Sequence, residues 1–200
     1  MRGFLFIVVF LSALRAAGSP VISEFMASNE TTLADEDGDF PDWIEIFNPD
    51  DEPVELGGYY LTDDAQVLNR WVFPATTLGP GEWLVVFASG KDRDVGELYT
   101  DFRLAAGGEY LALVAPDRTT VVSDFGERYP PQFEDESYGQ GDFGTGYFDE
   151  ASPGMANGSG RIPGPFFVEY RTGGERPGVI EDLVITARVE GAESVNCYYC

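Results

Sequence analysis

No stretch of the chain repeats its apolar residues at the spacing of a helix face. What recurs is alternation over a few residues, stopped by glycine or proline. PVISEFM (20–26) sets Val21, Ser23 and Phe25 against Ile22, Glu24 and Met26. WIEIFN (43–48) puts Ile44 and Ile46 on one face and Trp43, Glu45 and Phe47 on the other, because successive side chains of a strand point to opposite sides. VELGGYYLTD (54–63) reads as a strand kinked by a bulge at Gly57-Gly58. RWVFP (70–74) ends at a proline, and TLGPGEW turns at Pro80-Gly81. WLVVFASG (83–90) is apolar on both faces, which places it in the middle of a sandwich. LYTDFRL (98–104) follows, and EYLALVAP (109–116) and TTVVSDFG (119–126) flank Pro116-Asp117-Arg118 as a hairpin loop. Short strands with Gly/Pro turns predict an all-β sandwich or barrel.

From Tyr129 to Pro165 the character changes. The segment is rich in Gly, Pro, Asp and aromatics with little period, and reads as a wrapping segment followed by a linker, MANGSGRIPGP. Strand patterns resume in FFVEYR (166–171), EDLVITARVEG (181–191) and ESVNCYYC (193–200). These are too few for a sandwich, so 166–200 reads as the opening of a second, incomplete β domain.

MRGFLFIVVFLSALRAAGSP begins with a positive Arg2 and an apolar run too short to span a bilayer comfortably. With Ala16-Ala17-Gly18 behind it, residues 1–18 read as a signal peptide cut before Ser19. An uncleaved anchor is the alternative, and either way the remainder is expected to be secreted or at the cell surface, with no membrane insertion of the mature chain. Lys and Arg number 12 against 35 Asp and Glu, a net charge of −23. That argues against nucleic acid and anionic lipid surfaces as partners, since both need clustered cations. Histidine is absent, which removes Ser-His and Cys-His nucleophile pairs and His-ligated metals. Cys197 and Cys200 close the chain as CYYC; on a strand they face opposite ways, so free thiols or partners elsewhere are expected rather than a mutual disulfide.

Several pieces in order carry a resemblance: VISEFMASN (21–29), ADEDGDFPDWIEIFNPDDEPVELGGYYLTDD (34–64), RWVFPATTLGPGEWLVVFASGKDR (70–93), LYTDFRLAAGGEYLALVAPD (98–117) and SYGQ (137–140). Over residues 20 to about 155 the chain resembles the lamin tail domain of secreted bacterial proteins. The resemblance implies an immunoglobulin-like β-sandwich, placed over 19–155; composition sets the linker at 156–165, and EDLVITARV (181–189) with its lead-in from Pro177 is similar to the immunoglobulin-like domain that frequently follows, whose start is placed over 166–200. The resemblance also implies an extracellular accessory module, not an enzyme.

Three features carry chemistry. Asp35-Glu36-Asp37-Gly38-Asp39-Phe40-Pro41-Asp42 alternates hard oxygen ligands around a glycine, which is what calcium asks of a loop. The calcium reading takes Asp35, Asp37, Asp39 and Asp42 as ligands. The competing reading is a solvated loop whose Asp and Gly form turns. Crowded carboxylates repel, so some cation is expected nearby. Carboxylate pairs such as Asp42 with Glu45, or Asp63 with Asp64, could serve acid–base work, but in so acidic a chain such pairs arise by chance. Trp43, Tyr59, Tyr60, Trp71 and Trp83 read as core, whereas Tyr138, Phe143, Tyr147 and Phe148 are the candidates for exposed ligand contact. The expected function is a non-catalytic adhesion or spacer module, calcium-stabilised, whose partner is a protein or polysaccharide at the cell surface; the alternative is a carbohydrate-binding module serving an attached hydrolase.

Overall fold

Alternation fixes which side chains of each strand can share a core, and the observed strands follow it. The computed structural model describes residues 19–93, 96–142 and 144–161, with the backbone of 166–172 and 185–190. The strands are β1 (Val21–Met26), β2 (Trp43–Phe47), β3 (Val54–Glu55), β4 (Tyr60–Thr62), β5 (Trp71–Val72), β6 (Thr77–Leu78), β7 (Trp83–Phe87), β8 (Leu98–Tyr99), β9 (Ala112–Val114), β10 (Val121–Asp124), β11 (Ser137–Gly141), β12 (Gly144–Phe148), β13 (Phe166–Thr172) and β14 (Ile185–Glu190). A six-stranded sheet runs β12-β11-β1-β2-β7-β8 and a four-stranded sheet runs β10-β9-β4-β5. All pairs in these two sheets are antiparallel except β7 with β8. β13 and β14 pair antiparallel with each other, as do β3 and β6.

Ile22, Phe25, Ile44, Ile46 and Val86 of the large sheet meet Leu61, Trp71 and Leu113 of the small one in a single buried cluster. Each such aliphatic side chain contributes about 1.5–3 kcal/mol by leaving water. The outer face of the large sheet is also buried, where Met26, Trp43, Phe87 and Tyr99 form a second cluster under Leu33 and Ala151. β1 and β2 are therefore covered on both sides.

Two expectations change. Gly57-Gly58 is a turn, not a bulge: Tyr59 N–H bonds the Leu56 carbonyl at 2.9 Å, Gly58 has φ +87°, and the chain passes from β3 in one sheet to β4 in another. Residues 137–148, without visible period, form the β11–β12 hairpin at one edge of the large sheet. Glycine at 139 and 146 replaces the side chains that would have shown alternation. A Cβ on Gly139 would stand 2.1 Å from the Ser23 carbonyl oxygen, so only glycine lets β11 close on β1 there. The bulge of this sheet lies in β1, where Ser23 and Glu24 together oppose Glu45. The hairpin read at 116–118 is present, with Arg118 in the left-handed region and Asp117 Oδ1 accepting from Thr119 and Thr120 N–H. Residues 1–18, Phe143 and the two cysteines lie outside the described residues.

Candidate functional site

The acidic loop is built around Asp35. Its Oδ1 accepts N–H bonds from Asp37 (3.0 Å) and Asp39 (2.9 Å), its carbonyl accepts from Gly38, and its own N–H bonds the Asp39 carbonyl. Gly38, at φ +84°, makes the reversal. One oxygen each of Asp35, Asp37 and Asp39 lies within 4.8 Å of the others. Among them stands the Lys91 ammonium, 2.6 Å from Asp35 Oδ2, 2.7 Å from Asp37 Oδ2 and 3.1 Å from Asp39 Oδ2. An ammonium has three N–H donors, and here each finds a carboxylate. Arg93 adds a second ion pair to Asp37. The Tyr99 ring underlies both cations, 4.3 Å from the Arg93 guanidinium and 5.1 Å from Lys91 Nζ.

Burial pushes the Asp35 carboxyl up, but the Lys91 hydrogen bond and the backbone N–H donors outweigh it and hold it below the ordinary range. Hydrogen bonds from Lys91 and Arg93 lower Asp37 in the same way, and the bonds from Asp35 and Asp37 raise Lys91. The crowding of carboxylates favoured a cation here, and calcium was the one named rather than Lys91. The available signal was that Lys91 is the only lysine in the chain.

Asp42 stands apart from that trio. It precedes β2, receives Asn29 N–H at 3.4 Å, and lines a polar cleft of about 460 Å³ with Asn29, Ser89, Lys91 and Arg103. Burial raises its carboxyl to about 6, against the pull of the Asn29 bond and Arg103. Asp42 and Glu45 do not form an acid–base pair, because their surroundings differ: Asp42 faces this cleft while Glu45 lies on the outer face of the large sheet.

Glu45 is fully buried there, and so is Glu24, its cross-strand neighbour at the bulge. The sequence offered Glu45 only as a chance partner of Asp42 and did not single out Glu24. Ser23 Oγ donates to Glu45 Oε1 at 2.6 Å, and Ser137 Oγ donates to Glu24. The strap that follows β12 closes over the pair. Ser152 N–H and Oγ donate to Glu24, and Gly154 N–H donates to Glu45 Oε2. Asn157 pins the strap, its amide donating to the Ser23 and Gln140 carbonyls at 2.9 Å each. Residues 156–161, read from sequence as linker, thus lie bonded to the sandwich, ending at an antiparallel bridge between Arg161 and Tyr147. Burial raises both carboxyls, Glu45 to about 7, with the charge of Glu24 adding to the rise on Glu45.

Of the residues expected to make exposed contact, Tyr138, Tyr147 and Phe148 are buried: β11 and β12 turn Tyr138 and Tyr147 inward, while Phe148, on the opposite face beside Ser137, is covered near Gly160. Tyr138 and Tyr147 join the main core with ring centroids 5.0 Å apart. Trp43, Trp71 and Tyr60 are core as read. Trp83 is only half-buried, stacked on Phe47 at 4.8 Å beside a groove lined by Gln140, Asp142 and Asn157.

The two carboxylate clusters tilt stability in opposite directions. Glu24 and Glu45 hold protons more tightly folded than unfolded, so stability falls as pH rises from 4.5 to about 7. Asp35 and Asp37 are depressed, so their contribution is present above 3.8 and lost as pH falls further. Urea unfolding should show a maximum near about pH 4.5, with roughly 3 kcal/mol lost by about pH 8, from the rise of Glu45 to about 7 at about 1.36 kcal/mol per pH unit. A stability that instead rises steadily to neutral pH would contradict the assignment of the Glu24–Glu45 pair.

Among the described residues, no helix is long and apolar enough to cross a membrane. No curated protein and no solved structure matches the chain. The family model for the lamin tail domain matches residues 14–127. That span carries β1 to β10, both faces of the main core and the acidic loop with Lys91, and stops before the β11–β12 hairpin and the strap. The match covers more than half of the chain and agrees with the all-β sandwich, so the chain belongs to the lamin tail domain family, an immunoglobulin-like fold.

Proposed function

We propose that this chain is a non-catalytic extracellular or cell-surface module that spaces or attaches neighbouring domains of a larger secreted protein. The observation that carries this reading is the closure of its two carboxylate clusters on the chain itself. The acidic loop wraps the only lysine, and the raised pair Glu24–Glu45 lies sealed beneath Ser152 and Gly154. Catalytic carboxylates must instead meet a substrate at hydrogen-bond distance. Export is tested directly: sequencing the chain recovered from the medium or envelope of its own host should begin at Ser19. Recovery only from the cytoplasm, with Met1 intact, would overturn the extracellular placement.

Calcium stabilisation belongs to the same proposal. A calcium ion entering the Asp35–Asp37–Asp39 cluster must expel the Lys91 ammonium, since both use the same oxygens. Because Lys91 is the only lysine, an amine-reactive ester reports on it after the N-terminal amine is blocked. Millimolar calcium should raise both the melting temperature and the labelling rate of Lys91. No change in either relative to chelator sinks the calcium reading and leaves Lys91 as the resident cation.

A second reading, binding of a neutral polysaccharide, is favoured by the Phe47–Trp83 pair. A half-buried indole stacked on a phenyl ring, next to the Gln140 and Asp142 side chains, offers an apolar face with polar neighbours to a sugar ring. Glycan-array binding lost in Trp83→Ala would support it; an array on which the parent chain retains nothing removes it.

A further inference from the structure

The strongest unexplained feature is a pair of buried acids facing each other with no cation between them. Most buried carboxylates are paired with a base. Here β1 and β2 set Glu24 directly opposite Glu45 on the outer face of the large sheet, both without solvent exposure. Like charges in that relation repel. Their partners are all neutral donors: the Ser23, Ser137 and Ser152 hydroxyls and the Ser152 and Gly154 N–H groups. The neighbour of Glu45 on β7 is Val85. On the strap, the titratable side chains are Asp149 and Glu150, both exposed and both acidic. The charge of Glu24 makes the ionisation of Glu45 harder, while Asp149 is ion-paired at the surface with Arg161 at 3.8 Å.

The strap covers the pair and contributes four of its hydrogen bonds, and it lies beyond the residues that match the family. Three of its bonds end on Glu24 and one on Glu45, and Asn157 holds its far end to β1 and β11. Ala156 and Asn157 also wall the groove of Phe47 and Trp83.

We propose that Glu24 and Glu45 form a proton-operated latch: with at least one of the two carboxyls protonated the strap stays docked, and with both ionised the strap over 149–157 lifts from the outer face of the large sheet. Hydration of two carboxylates is the driving force. It is gained by moving a short surface segment and leaves the core between the sheets untouched. Burial displaces the pair upward, Glu45 to about 7, so the change falls between mildly acid and mildly alkaline solution. Lifting the strap also opens the wall of the Phe47–Trp83 groove, which makes access to that face depend on pH.

The test is hydrogen exchange of the full chain at about pH 5 and about pH 8, corrected for intrinsic rates, which reads local opening. Protection of strap peptides should fall on the order of tenfold at the higher pH, while β2 and β7 keep theirs. Equal strap protection at both values overturns the latch. So does a parallel loss in β2 and β7, which would be global unfolding. In Glu45→Gln and Glu24→Gln, each tested separately, removal of one ionisable group should flatten the pH response of the strap. A full response persisting in either variant that folds places the titrating group elsewhere and overturns the assignment.

Discussion

Gly139→Val is expected to destabilise the chain by about 3 kcal/mol or more, the upper end of what overpacking costs. The added Cβ would lie 2.1 Å from the Ser23 carbonyl oxygen and 2.7 Å from Glu24 Cα. Both are backbone atoms of β1, held in register by β2, so no rotamer change relieves the contact. β11 must swing off β1 and take β12 with it. Tyr138 and Tyr147 leave the core, Ser137 leaves Glu24, and Asn157 loses its Gln140 partner. The denaturation midpoint should drop, with exchange protection lost first in β11 and β12. Gly158→Ala is the control: nothing lies within 4 Å of its added Cβ, so a change under roughly 0.5 kcal/mol is expected. If Gly139→Val unfolds at the parent's midpoint, the β1–β11 register is wrong.

Lys91→Met should cost about 3 kcal/mol, near the lower bound for breaking a buried ion pair. The Asp35 carboxylate has no accessible side-chain surface, so it cannot turn to water when the ammonium is gone. Its Oδ1 bonds to Asp37 and Asp39 remain, while Asp37 and Asp39 are exposed and recover hydration, which keeps the loss from growing larger. The effect has a pH signature. The gap between Lys91→Met and the parent should narrow as pH falls below 3.8, because a protonated Asp35 no longer needs its partner. A double-mutant cycle with Asp35→Asn isolates the pair, and a coupling below about 0.5 kcal/mol would contradict the clasp.

Much of the sandwich was legible because covered strands keep period two. Ile44, Ile46 and Glu45 took the faces that alternation gave them, and Pro116-Asp117-Arg118 made its hairpin. The β11–β12 hairpin was hidden because its closest approach to β1 requires Gly139, and glycine carries no hydropathy signal. Tyr138, Tyr147 and Phe148 were misread as exposed for the same reason: aromatics set among glycines resemble a loop until the hairpin turns Tyr138 and Tyr147 inward and the following segment covers Phe148. The strap is polar and short, and polar composition does not distinguish a segment facing water from one bonding buried carboxylates.

Alternation, turn chemistry and the order of the family motifs determined by themselves that this chain is a β-sandwich of the lamin tail domain family. Local sequence also set the acidic loop as a tight turn, because Asp and Gly bond their own backbone within a few residues. Only the tertiary structure brought the Lys91 ammonium to that loop, since Lys91 arrives from beyond the end of β7, more than 50 residues away in the chain. Only the tertiary structure decided, too, that Glu24 and Glu45 share one dry face beneath a strap from the far end of the sandwich. A carboxylate's charge is written in the sequence. Its hydration, and with it its pKa and its use, depends on which distant segment comes to cover it.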